Sequence, residues 1–334
     1  DLPDNGVLDW LRPYLDSQKM AFVQDNMLDE KYGSGWAWDD FNYAFSCQKS
    51  SLPVHGNFIR IEKEGQSIEV SPWGAQLVTD SEKSSSKAFR HSKNGNQLHF
   101  NPMTVLDSFE QDIPADVSSP YWALANIRHT LYGEAPFEFP PNQTIAQIRN
   151  PGGLSWQTLA GLPLDTLLIP FMHDSDNFFA EQLMLMVSGQ LFDDSLSVPK
   201  AIQYSLDSLL PGLPDPPRWV DGSGLSRYNL FTPRDNVFIL EKLFNEQNRE
   251  RLLALFPAGG VSGTIKNWYA GPDGKPFIYA KTGTLSNNHS LSGYLQAKSG
   301  KWYIFSFMHN HYFESSSTMK RSMDRILREI YLNG

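Results

Sequence analysis

One cysteine, Cys47, stands in 334 residues. No disulfide can close within the chain, and no cysteine-based metal site can form. No apolar run reaches the roughly 18 residues that a membrane-spanning helix needs. Basic residues are outnumbered, 28 Lys and Arg against 37 Asp and Glu, for a net charge of −9 without a basic cluster. That balance argues against nucleic acid as the main partner. His309 and His311 lie two apart after an apolar run, but no carboxylate motif completes a metal site around them. No internal repeat is visible. The opening, Asp1-Leu2-Pro3-Asp4-Asn5-Gly6, does not have the form of a signal peptide, and a mature exported protein begins in the same way. What is present is a globular composition, 40% hydrophobic and 13% aromatic. The length suffices for two or three domains with real cores.

Hydrophobic spacing predicts a short helix over 7–15 and a strand at Ala21-Phe22-Val23. The glycines and rings of Tyr32-Gly33-Ser34-Gly35-Trp36-Ala37-Trp38 predict a compact loop anchored by its aromatics. Phe58, Ile59 and Ile61, then Glu64-Gly65-Gln66, then Ile68 and Val70 read as a hairpin. Ser81 to Asn96 reads as a polar connection, and Leu98-His99-Phe100 as a returning strand. A helix from Pro120 to Leu131 follows, with Pro120 in its first turn. Pro136 to Gly153 is rich in Pro, Asn and Gly, with a short strand candidate at Thr144-Ile145-Ala146. The change of character near Ile113-Pro114 places a domain boundary near 115.

Beyond it, helices are expected from Leu164 to Met172, around Phe179 to Gly189, and over Ala201 to Leu210. Thr232-Pro233-Arg234-Asp235 opens another, with Thr232 as cap and Val237, Leu240 and Phe244 on its buried face. The chain should end in an antiparallel meander, Phe277 to Leu285, Leu291 to Ala297 and Trp302 to Met308, closed by a helix over Ser316 to Tyr331.

Three segments carry chemistry. Lys281-Thr282-Gly283-Thr284 continues an apolar strand. Alternation puts Lys281 and Gly283 on one face, Thr282 and Thr284 on the other. A glycine there admits another backbone, and a lysine holds a carboxylate as a point charge. A lysine on a solvated edge strand also simply blunts aggregation. Ser175-Asp176-Asn177, between two helices, is by itself an ordinary helix start. It precedes Lys281-Thr282-Gly283 by about a hundred residues, the Ser-x-Asn and Lys-Thr-Gly pairing of penicillin-recognising serine enzymes. Asp221-Gly222-Ser223-Gly224-Leu225-Ser226-Arg227-Tyr228-Asn229 is a glycine-rich loop between them.

In that order, with Ala180-Glu181 and Leu291-Ser292-Gly293-Tyr294, these segments resemble the low-molecular-mass class C penicillin-binding proteins, D-alanyl-D-alanine carboxypeptidases and endopeptidases of the cell-wall compartment. The resemblance runs over about residues 20–330 and is strongest from 164 to 310. It implies an α+β fold, a transpeptidase/β-lactamase-like domain with an antiparallel sheet flanked by helices, over 116–334. Residues 1–115, with the Gly35-Trp36 region, would be a β-rich inserted accessory region. It implies a serine-type hydrolase working through an acyl-enzyme, with no metal or organic cofactor. Peptidoglycan stem peptides would be its substrates and β-lactams its covalent or non-covalent ligands, in a periplasmic or other extracytoplasmic location. Ser175 would relay a proton to the leaving group, Asn177 would orient the substrate amide, and Lys281 would supply positive potential. Thr282 and Thr284, beside Gly283, would hold the terminal carboxylate, and the Thr284 backbone N–H would be an oxyanion donor. Arg227 matches an arginine near the substrate peptide's side chain; a loop-bracing ion pair is the alternative.

The family's nucleophile motif, Ser-x-x-Lys, lies upstream of the Gly35-Trp36 region. The four matches here, Ser46/Lys49, Ser84/Lys87, Ser197/Lys200 and Ser317/Lys320, do not occupy that position. A chain folding without the helix that bears the motif must fill its place. The expectation is therefore a catalytic-type protein whose front, with the nucleophile segment, lies outside this sequence. A non-catalytic peptidoglycan-peptide binder, and a β-lactamase or esterase on the same scaffold, are the alternatives.

Overall fold

The computed structural model describes residues 6–16, 26–72, 74–79, 89–91, 95–100, 108–118, 120–133, 161–193 and 195–334. The strand expected at Ala21-Phe22-Val23, the Ser84/Lys87 pair, most of the polar connection after Ser81 and the Thr144 segment lie outside the described residues. Among the described residues, no helix is long and apolar enough to cross a membrane. The chain divides into two compact units. One takes Asp1–Leu162 with Leu185–Ser197, the other Pro163–Met184 with Val198–Gly334.

In the first unit, helix α1 spans Val7–Asp16. Strands β1 (Phe58–Glu64) and β2 (Ser67–Ser71) form the expected hairpin, with Gly65 in the left-handed region at φ 58°. After β3 (Gln76–Thr79), β4 (Phe89–His91) and β5 (Gln97–Phe100) comes β6 (Ser108–Pro114). The strand orders are β2-β1-β6 and β3-β5-β4. Ile59 and Ile61 alternate inward on β1, where they meet Leu98, Ile113 and Trp122. Trp122 lies on helix α2 (Pro120–Tyr132). This contact explains why the division does not fall near 115. The helix after the last strand buries its indole in the β-rich core and stays with it. The aromatic loop packs Tyr32 edge-on to Trp36, while Trp38 stacks on Phe41 and stays 73% exposed.

In the second unit, α3 (Leu164–Pro170) runs into a π-helical turn, Phe171–Ser175, and then α4 (Asn177–Leu191), whose last residues group with the first unit. Helices α5 (Val198–Tyr204), α6 (Pro233–Glu246) and α7 (Arg249–Leu255) follow. The start of α6 is a full capping box. Asp235 N–H donates to Thr232 Oγ1, and Thr232 N–H donates to Asp235 Oδ2. The chain ends in the antiparallel meander β7 (Ile278–Leu285), β8 (Asn288–Gln296) and β9 (Trp302–Asn310), closed by α8 (Ser316–Asn333).

Alternation along these strands builds two cores. Ile278, Ala280, Leu291 and Leu295 pack with Met323 and Leu327 of α8. Tyr294 faces the other way, against Leu240 of α6 and Leu252 of α7, and its hydroxyl donates to the Leu240 carbonyl at 2.9 Å. Gly293 is required at the β7–β8 contact, because a Cβ there would lie 2.2 Å from the Tyr279 carbonyl oxygen. That oxygen and the Ala280 Cα, 2.6 Å from the same position, are backbone atoms, so Gly293→Ala must spread the two strands. It is expected to destabilise the protein by about 3 kcal/mol, read as a lowered urea midpoint.

Candidate active site

Every group of the site described below belongs to the second unit. The chain passes from α3 to α4 through the π-helical turn, whose last residue, Ser175, takes φ 59°. A serine in the left-handed region is strained, and such strain gathers at functional positions. Asp176 then caps α4, accepting the Phe179 N–H at 2.9 Å. Burial raises its carboxyl above the ordinary value, against the pull of the Phe179 and Phe178 amides. Asn177 is the first residue of α4.

Facing this turn is β7. Lys281 Nζ donates to Ser175 Oγ at 2.5 Å and to the Thr282 carbonyl at 2.9 Å. Burial pushes the Lys281 ammonium down to about 8. Thr282 Oγ1 lies 2.8 Å from Thr264 Oγ1. The segment before it covers the edge of β7 only as far as Ala280. Gly259 N–H donates to the Ile278 carbonyl, and Ala280 N–H to the Pro257 carbonyl. Among the described residues no strand continues that pairing past Ala280. Gly283 and Thr284 are exposed there. A Cβ on Gly283 would meet Ser290 Oγ at 2.6 Å.

The third wall is the loop from Arg218 to Leu230, closed at its neck by two backbone bonds between those residues, at 3.0 and 2.7 Å. Asp221, 2% exposed, organises it from within. Its carboxylate accepts the Gly224 and Ser226 amides and the Asn229 side chain, at 2.9, 2.6 and 2.7 Å. The loop docks on α4 through the Ala180-Glu181 pair. A Cβ on Gly222 would lie 2.7 Å from the Ala180 carbonyl, and Glu181 Oε1 accepts the Ser223 N–H at 2.8 Å. The sequence order from Asn177 to Glu181 to the loop is thus one packing arrangement. It fixes a wall whose amides are already engaged.

Together these elements enclose a cleft of about 370 Å³. Ser175, Asn177, Lys281 and Thr282 line it, with Asp221, Trp219 and Asn236. Gly283, Thr284 and Arg227 are not among the lining residues: the first two are exposed beside the cleft on β7, and Arg227 is exposed on the loop. Sequence reasoning missed Trp219, whose Nε1–H donates to the Asp221 carbonyl, and Asn236, 3.4 Å from both Ser292 Oγ and Ser306 Oγ. Asn236 had a signal. It precedes Leu240 by four positions, so a polar residue interrupts the apolar stripe of α6.

Three Ser-x-x-Lys pairs are described. Ser46 is 3% exposed, and Lys49 is held by Asp29 at 3.0 Å. The buried Ser197 takes part in the Ser188 turn through its N–H. Ser317 shares a hydrogen bond with Ser315 at the start of α8. None of the three serines lines the cleft.

Over 332 residues the chain is 24% identical to the D-alanyl-D-alanine carboxypeptidase DacB of Haemophilus influenzae, covering 90% of this chain and 67% of the relative. It is 27% identical over 321 residues to a D-alanyl-D-alanine carboxypeptidase of Actinomadura sp., covering 86% of this chain and 59% of that one. The crystal structure of penicillin-binding protein 4 from Haemophilus influenzae superposes with a TM-score of 0.75 at 22% identity, covering 98% of this chain and 79% of the other. The fold is therefore that of the penicillin-binding proteins. The sequence model of the D-Ala-D-Ala carboxypeptidase 3 (S13) family matches residues 145–330, which takes in all three segments that form the cleft, and the chain belongs to that family.

Proposed function

We propose that this protein is a serine-type D-alanyl-D-alanine carboxypeptidase or endopeptidase that acts on peptidoglycan stem peptides through an acyl-enzyme, outside the cytoplasm. The observation that carries the reading is the Lys281 ammonium, 2.5 Å from Ser175 Oγ, in a cleft shared with Asn177 and Thr282. A β-lactam complex of the Haemophilus protein, which superposes with a TM-score of 0.64, is consistent with β-lactams as ligands here.

Placement supports the following roles. The open edge of β7 beyond Ala280 can pair with an extended peptide, which fixes the substrate backbone along the cleft. Its terminal carboxylate then lies at Thr282 and Thr284, with Gly283 clearing the backbone's approach and Lys281 adding positive potential. Asn177 orients the substrate amide. Ser175, hydrogen-bonded to a lysine whose burial eases its deprotonation, passes a proton to the departing D-alanine nitrogen. The Thr284 N–H is aimed at the developing oxyanion. Arg227, exposed at the loop tip, is left for the outer part of a longer peptide. The β-rich part of the first unit, within residues 1–115, is the accessory region in this reading.

The test is incubation of the protein, as its host makes it, with a fluorescent penicillin, followed by intact-mass measurement and peptide mapping. The expected outcome is one long-lived adduct on a serine, together with release of D-alanine from an acylated Lys-D-Ala-D-Ala peptide. Reversible peptide binding without an adduct would replace the enzyme with a binding protein. Rapid turnover of the β-lactam would make it a β-lactamase. Asn177→Ala is expected to slow acylation by about a hundredfold, the scale of losing one oriented polar contact to the reacting group.

The lysine gives a pH dependence with a definite sign. Lys281 is charged below about 8 and loses its charge above it. Affinity for a carboxylate-ended peptide should therefore hold at neutral pH and fall by about tenfold toward pH 10, as a rise in KM. Lys281→Arg, charged throughout, should flatten that profile even if its rate is lower.

A further inference from the structure

His289 is a buried polar side chain beside the site that the mechanism does not use. It lies on β8 directly opposite Thr284 of β7, so both side chains project from the same face of the sheet. The imidazole is 1% exposed, while Thr284 is exposed at the open strand edge. His289 Nδ1 lies 2.9 Å from Thr284 Oγ1. The other ring nitrogen, Nε2, is buried and has no hydrogen-bond partner among the described residues.

That asymmetry selects a tautomer. A neutral imidazole carries one N–H. On Nε2 the proton would be a buried donor with nothing to bond, which is costly. On Nδ1 it pairs with the threonine oxygen. The doubly protonated ring is disfavoured as well. Burial, then the charges of Lys320 on α8 and His309 on β9, push His289 down to about 4. Lys320 is itself held, with its ammonium 5.0 Å over the Trp268 ring, and His309 is the cross-strand neighbour of His289. At working pH the ring is neutral.

We propose that His289 is a positioning residue for the carboxylate site: its Nδ1–H donates to Thr284 Oγ1, occupies one acceptor position of that oxygen, and leaves the threonine's own hydroxyl hydrogen to be donated to the terminal carboxylate of a bound peptide. In the opposite tautomer Thr284 would spend its hydrogen on the ring and offer the ligand only lone pairs, which repel a carboxylate. The inference rests on the reading of the cleft as a carboxylate-terminated peptide site. It adds the group that sets the polarity of one of the two threonines.

Two measurements test it on the intact protein. Nitrogen-15 NMR of labelled histidine, assigned with His289→Leu, reports which ring nitrogen bears the proton. Protonated Nδ1 at neutral pH is expected, and a proton on Nε2 would overturn the proposal. Calorimetry then compares an acylated Lys-D-Ala-D-Ala peptide with the same peptide ending in a carboxamide. His289→Leu should weaken the carboxylate ligand by about tenfold, the scale of one charge-assisted hydrogen bond, and leave the amide ligand unchanged. His289→Asn, whose amide can donate from the Nδ1 position, should stay within about threefold of the unaltered protein. Equal weakening of both ligands would show a merely structural histidine and overturn the assignment. If the unaltered protein shows no preference for the carboxylate, the reading of the cleft fails and the ligand half of this proposal fails with it. The NMR result stands apart from that outcome, so the two failures are distinguishable.

Discussion

A buried ammonium and a serine hydroxyl 106 residues apart in the chain meet at 2.5 Å, and much of the second unit exists to keep them there. Neither partner is comfortable alone. The serine sits in a left-handed backbone conformation, and the lysine has surrendered most of its hydration, which is why its affinity for a proton drops. Each therefore needs rigid support. The serine is held by a π-helical turn tied off on both sides by helices, with Asp176 capping the one that follows. The lysine is held by a strand whose other face is sealed against α8 and whose paired glycine lets β8 approach to backbone contact.

The walls of the cleft differ in how their polar groups are used, and that difference decides where a ligand can bind. In the Arg218–Leu230 loop the amides of Val220, Ser223, Gly224 and Ser226 already have a carboxylate or amide partner from Asn229, Glu181 or Asp221. Such a wall shapes the cleft without competing for the ligand. Along the outer edge of β7 backbone pairing reaches Ala280, and among the described residues no strand continues it.

Much of this was legible in the sequence because it rests on local rules. The capping box at Thr232, the three strands of the meander, the hairpin at Gly65 and the helix over 316–333 follow from periodicity and turn chemistry, and all are present. The less legible features are non-local. No short-range pattern says that Trp122 will bury itself in the core of the β-rich unit, so the expected division near 115 missed the first unit's helix. The π-helical turn at Ser175 was invisible for a similar reason. The run from Leu164 to Met172 fits one helix, and only the approach of Lys281 gives the extra residue in that turn a purpose. Arg227 sits on the loop as the motif placed it, but spacing carries no information about side-chain direction, and it is not among the residues that line the cleft.

His289 lies between these cases. Its phase was readable, since it shares the inward face of β8 with Leu291, Gly293 and Leu295, where a polar residue is out of place. What the phase could not say is which neighbour makes its burial tolerable. The register does: pairing with Thr284 gives one ring nitrogen a partner on the ligand side, while the other is sealed among groups that resist a second proton. An aliphatic residue would fill that space at lower cost in desolvation. A ring that holds its single proton only toward Thr284 exchanges part of that stability for a hydroxyl with a fixed polarity, which is the kind of support a binding group needs from the residue behind it.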